Sequence, residues 1–121
     1  MTPAEELHAA ATLLRDHATE AIHNDRRTWT AGHTLGSASP VVLDDPEHPS
    51  VLIETYAARL ERVNSYLALL GPATGLAVAD WLDAYADQLA AATHPGWQET
   101  VAGPALAVAR AVLGQPDGSS R

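Results

Sequence analysis

Apolar and polar positions recur with two different periods along this chain, and the changes of period mark its elements. Leu7, Ala10/Ala11, Leu14, Ala18 and Ala21/Ile22 stand at helical spacing, while Glu6, His8, Arg15, Asp16 and Glu20 occupy other faces. The opening "TPAEE" carries start signals: Thr2 as N-cap, Pro3 as first helical residue, Glu5 where a capping box needs it. A helix over about 3 to 23 is predicted, ending near "HNDRR". From Thr28 the period shortens. Trp29, Ala31, His33 and Leu35 alternate with Thr28, Thr30 and Thr34, and "PVVLD" and "SVLIETY" are short β-branched runs separated by the turn-rich "DPEHP". An antiparallel meander over about 28 to 35, 40 to 44 and 50 to 56 follows, and a sheet this small needs a helix on one face.

The helical period returns with the stripe Leu60, Val63, Leu67 and Leu70. Gly71-Pro72 ends that helix and opens the next, over about 72 to 92. "THPGWQETVAG" reads as a loop. Gly103-Pro104 repeats the start signal for a short final helix that Gly114 stops, and "QPDGSSR" (115 to 121) reads as a disordered tail. The expectation is a single α+β domain over 1 to 114: an N-terminal helix, a small three-stranded antiparallel sheet, then three helices. Its core includes Trp29, Leu43, Ile53, Leu67, Leu82 and Val108.

The helix from Pro72 carries the candidate site. At ~100° per residue, Asp80, Asp83 and Asp87 fall within about 60° of one another. Trp81, Tyr85, Val78, Leu89, Leu82, Ala86 and Ala79 cover an arc of about 160° elsewhere. The acids are therefore expected to face outward, solvated or turned to a partner's basic surface; one helix face presents too few converging oxygens for a divalent cation. Trp81 and Tyr85 read as core or as a helix–helix contact. If they stay exposed, they make a partner or self-association surface with Asp80, Asp83 and Asp87. Trp97 is expected to cover an edge of the core. Arg110 lies in a helix apolar nearly all round, so its guanidinium needs a carboxylate. The nearest in sequence are Asp80 and Asp83, if the last two helices pack antiparallel, and an ion pair between Arg110 and Asp83 is predicted.

Composition narrows the function. With 121 residues, 46% hydrophobic and 18% charged, the chain suits one globular domain. The net charge is −8 and every cation is Arg, which disfavours nucleic acid and anionic membranes. A small nucleic-acid regulator acting through Arg26, Arg27, Arg59 and Arg62 is the alternative. No cysteine is present, which excludes disulfides and thiolate chemistry. No apolar run reaches the ~18 residues of a membrane span. The acidic start "MTPAEELHAA" lacks a signal peptide's basic residues, so a cytoplasmic location is expected. The histidines at 8, 17, 23, 33, 48 and 94 form no i,i+4 pair. No nucleophile motif, phosphate loop or dinucleotide fingerprint occurs. No cofactor, metal or catalytic residue is expected, and a small metal-dependent hydrolase is the weaker alternative.

"MTPAEELHAAATLLRDHA", "VNSYLALLGPATGLAVADWLDAYAD" and "ALAVARAVLG" together resemble small uncharacterised proteins of actinobacteria and their phages. More remotely, the helix–Pro–helix segment is similar to the Ead-like early proteins of temperate phages, with Trp29 of "DRRTW" matching the Trp of their "TPGPW". The resemblance implies no enzyme activity. It implies an accessory role on a phage or mobile element, exercised by contact with another protein; self-association of the chain is a separate expectation from Trp81 and Tyr85.

Overall fold

Thr2 and Glu5 close the predicted capping box: the Thr2 amide donates to Glu5 Oε1 at 2.8 Å and the Glu5 amide to Thr2 Oγ1 at 3.2 Å. In the computed structural model, which describes residues 1–22, 25–33, 40–44, 51–54 and 60–114, this box opens α1, Pro3–Glu20. Three short strands follow, β1 (Thr30–His33), β2 (Pro40–Leu43) and β3 (Val51–Glu54), in the order β1-β2-β3 and antiparallel throughout. Then come α2 (Leu60–Leu69), α3 (Pro72–Ala92), α4 (Pro95–Val101) and α5 (Gly103–Leu113). The α+β class and the element order are as the sequence predicts, with one addition. The stretch read as a loop, "THPGWQETVAG", contains α4: the His94 ring accepts from the Gly96 amide at 3.0 Å, and Pro95 takes the first turn. Gly114 ends α5 in the left-handed region, φ 73°. The proposed tail, 115 to 121, lies outside the described residues.

Two compact units make up the chain, Met1–His17 with Leu76–Arg121, and Ala18–Gly75. In the first unit Ala4, Leu7, Ala10 and Ala11 of α1 meet Ala79, Leu82, Ala86 and Leu89 of α3 and Ala105, Leu106 and Ala109 of α5. Each helix supplies a fully buried leucine (Leu7, Leu82, Leu106) amid buried alanines. Val108, expected in this core, is 36% exposed; Leu106 and Ala109 turn inward instead.

In the second unit α2 lies on β1 and β2, and Val41 and Val42 are fully buried. A bulge between Val42 and Leu43 shifts the β2–β3 register, so Leu43 pairs with Val51. Trp29, Leu43, Ile53 and Leu67 are partly buried, as core-edge residues. The predicted stripe of α2 is turned: Val63 and Leu70 are exposed, and Asn64 sits inside at 1% exposure. Gly71 is set against Trp29, where a Cβ would come within 3.0 Å of its Cγ, and the Ala73 amide donates to the Arg27 carbonyl at 2.8 Å. Asp44, just past β2, is buried and accepts from Arg26 Nη1 at 3.2 Å.

Candidate interaction face of the first unit

The aspartates of α3 are held by α1. Arg15 Nη2 donates to Asp83 Oδ2 at 2.7 Å and to Asp80 Oδ1 at 3.1 Å. The ring of His8 sets Nδ1 2.8 Å from Asp83 Oδ1 and Nε2 3.1 Å from Asp87 Oδ1. Burial alone would raise the Asp83 carboxyl, but the hydrogen bonds from His8 and Arg15 and their charges outweigh it, and the group lies below its ordinary range. Arg15 is correspondingly pushed up, first by its bond to Asp83 and then by that to Asp80. Asp80 and Asp87 keep most of their surface in water. The acidic stripe is thus outward-facing, as predicted, but tied along one edge to α1.

Arg110 has the carboxylates its helix demands, and they are not Asp83. Its Nη2 donates to Glu6 Oε2 at 3.0 Å and to Glu99 Oε1 at 2.9 Å, joining α5 to α1 and α4. The guanidinium is pushed up, foremost by Glu99, against the opposing effect of burial. The predicted Arg110–Asp83 pair is corrected on this geometry. Glu99 lies in α4, an element not foreseen, and His8 and Arg15 already occupy Asp83.

The apolar arc of α3 is wider than the buried one. Ala79, Leu82, Ala86 and Leu89 are inside, but Trp81, at the arc's edge, is 47% exposed. It stacks on Tyr85, with ring centroids 6.4 Å apart and planes 18° from parallel. The Tyr85 hydroxyl donates to the Val101 carbonyl at 3.3 Å, satisfying an orphan acceptor at the end of α4. Val101 and Trp97, four residues apart on α4, are 53% and 66% exposed. Trp97 therefore does not cover the core as expected. Trp81, Tyr85, Val101 and Trp97 follow one another as an open apolar ridge.

A residue that periodicity missed fixes this ridge. Gln98, 3% exposed, accepts from the Ala4 amide at 3.3 Å and donates Nε2 to the Thr93 carbonyl at 3.2 Å. It meets a free N–H of the first turn of α1 and a carbonyl just past α3 with the two ends of one amide. With Gln98 turned inward, Trp97 and Val101 turn outward. The sequence signal was His94-Pro95, a helix start; Gln98 itself opens the polar run Gln98-Glu99-Thr100, in which nothing marks it as the buried member.

The second unit holds another polar feature. His33 Nε2 lies 2.6 Å from Glu61 Oε1 at the mouth of a hollow of about 210 Å³, lined also by Ala31, Gly32, Asn64 and Ser65. Both partners of the pair are half in water, where such interactions are weak. Among the described residues no group of three His, Asp or Glu converges as metal ligands, and no helix is long and apolar enough to cross a membrane. Of the arginines proposed for nucleic acid, Arg26 is bonded to Asp44, Arg27 and Arg62 are exposed, and Arg59 lies outside the described residues. No protein-family model, curated protein or solved structure matches the chain.

Proposed function

We propose that this chain is a non-enzymatic protein-binding module, of the phage or mobile-element kind its resemblance implies, and that Trp81, Tyr85, Trp97 and Val101 are its contact face. One observation carries the reading: two tryptophans and a valine stand about half or more in water on adjoining elements, linked through Tyr85. Fully burying a large apolar side chain is worth roughly 1.5–3 kcal/mol. A contiguous ridge that leaves this gain unrealised is the kind of surface a partner completes, and Trp and Tyr are the residues on which binding energy concentrates. Gln98 and the Tyr85 hydroxyl brace the ridge, so little ordering is required on binding.

The test is a comparison of the unaltered chain with the Trp81→Ala/Trp97→Ala double variant, both immobilised and exposed to extract of the source organism. The expected outcome is a discrete captured protein that the variant loses while its far-ultraviolet circular dichroism is unchanged. Identical capture by both would refute the assignment.

A further inference from the structure

The contact face has an electrostatic border that specifies its occupant. The exposed surface of α3 runs from Asp80 and Asp87 on one side, over Ala77, Ala84, Gln88 and Ala91, to Trp81 and Tyr85 on the other. It is a smooth strip with an acidic edge and an aromatic edge. From Ala77 to Ala91 it extends ~21 Å, about four turns of helix. Three alanines along its middle, Ala77, Ala84 and Ala91, leave room for another helix to come close.

The charge around this strip is one-sided. Among the described residues of the unit, Arg15 and Arg110 are the only Lys or Arg, and each is committed to two carboxylates. Asp80 and Asp87 each retain an oxygen and most of their surface for an outside cation. The faces of Trp81 and Trp97 favour a cation in the same way, through the ring quadrupole. A second copy of a chain carrying net charge −8 would set acid against acid.

Resting on the interaction reading above, we infer that this strip docks a basic amphipathic helix of another protein. Its apolar stripe would lie along the alanines and against Trp81 and Tyr85, and its Lys or Arg residues would reach Asp80 and Asp87.

Fluorescence polarisation on the full chain tests this with three labelled helical peptides of one apolar pattern. Leucine occupies the apolar positions in all; lysine, glutamine or glutamate fills the polar ones. The lysine peptide is expected to bind at least about tenfold tighter than the other two, and increasingly weakly as salt rises. Trp81→Ala is expected to weaken it by about tenfold or more. Asp80→Asn/Asp87→Asn is expected to weaken it and flatten the salt dependence. Tyr66→Ala, on an exposed face of α2, is expected to leave it unchanged.

Equal binding of the glutamine peptide, or lysine-peptide binding indifferent to Trp81→Ala, overturns the inference. So does an absence of binding accompanied by a dimer in sedimentation that Trp81→Ala dissociates, because the occupant is then a second copy. In each of these cases the interaction reading stands if the Trp81→Ala/Trp97→Ala variant still loses its captured partner, and falls with the inference if it does not.

Discussion

Replacing Gly71 by alanine tests the joint between the Trp29 segment and the start of α3. The new Cβ would stand 3.0 Å from Trp29 Cγ, 3.2 Å from its Cβ and 3.2 Å from its backbone nitrogen. Comfortable carbon contacts lie at ~3.5–4.0 Å, so one side must retreat by a few tenths of an ångström. The obstacle includes backbone, so it cannot swing away as a flexible side-chain end would. Overpacking of this kind costs about 1–3 kcal/mol. Restricting the unfolded chain returns about 0.4–1 kcal/mol where the residue's conformation is tolerated. The net expectation is a loss of up to about 2.5 kcal/mol. Gly103→Ala is the matched control, since nothing lies within 4 Å of its Cβ. At the start of α5 it should be neutral or stabilise by up to about 1 kcal/mol. Urea unfolding followed by tryptophan fluorescence measures both. A Gly71→Ala midpoint equal to or above that of Gly103→Ala would refute the close approach.

Other perturbations have equally definite outcomes. Leu82→Ala empties a fully buried position among the three helices of the first unit and should cost about 2–5 kcal/mol in chemical denaturation. Gln98→Ala strands a buried amide and a carbonyl, a loss of about 1–3 kcal/mol, and should raise hydrogen exchange at Ala4. Asp83→Asn should lower stability near neutral pH. Because the folded carboxyl lies below its ordinary value, the stabilisation it gives is complete above the unfolded range of ~3.9. It disappears as pH falls through the lower folded value, so the two denaturation midpoints should converge only in acid.

The parts of the fold legible in the sequence were those written by local chemistry. Thr2 and Glu5 satisfy each other within one turn, Gly71-Pro72 punctuates two helices, and Gly114 supplies the left-handed residue that ends α5. The three strands appeared because β-branched runs are separated by Pro- and Asp-rich turns. The parts that were not legible depend on partners far along the chain. Pro95-Gly96 reads as a loop until the His94 cap and the two long-range bonds of Gln98 are known. The need of Arg110 for a carboxylate was visible. Its choice of Glu6 and Glu99 over Asp83 depends on how α1, α4 and α5 meet.

The candidate site divides in the same way. Helical geometry put Asp80, Asp83 and Asp87 on one face, and the pattern marked Trp81 and Tyr85 as a pair. Pattern alone left Trp81 and Tyr85 open between the core and an exposed surface. The structure splits the apolar arc, burying Leu82 and leaving Trp81 open, because α1 and α5 together cover only part of α3. Asn64 is the converse case: a polar residue at an inward position of α2, which a hydrophobic stripe cannot reveal.

The indole N–H resonances offer the most direct measurement, because the chain has three tryptophans and they occupy different settings. Trp81 and Trp97 lie on the ridge, and Trp29 stands against Gly71 with its indole nitrogen buried. Titrating the nitrogen-15-labelled protein with the leucine–lysine helix should shift or broaden the Trp81 and Trp97 signals and leave that of Trp29 in place. A Trp29 signal that moves while those two stay fixed would contradict the account.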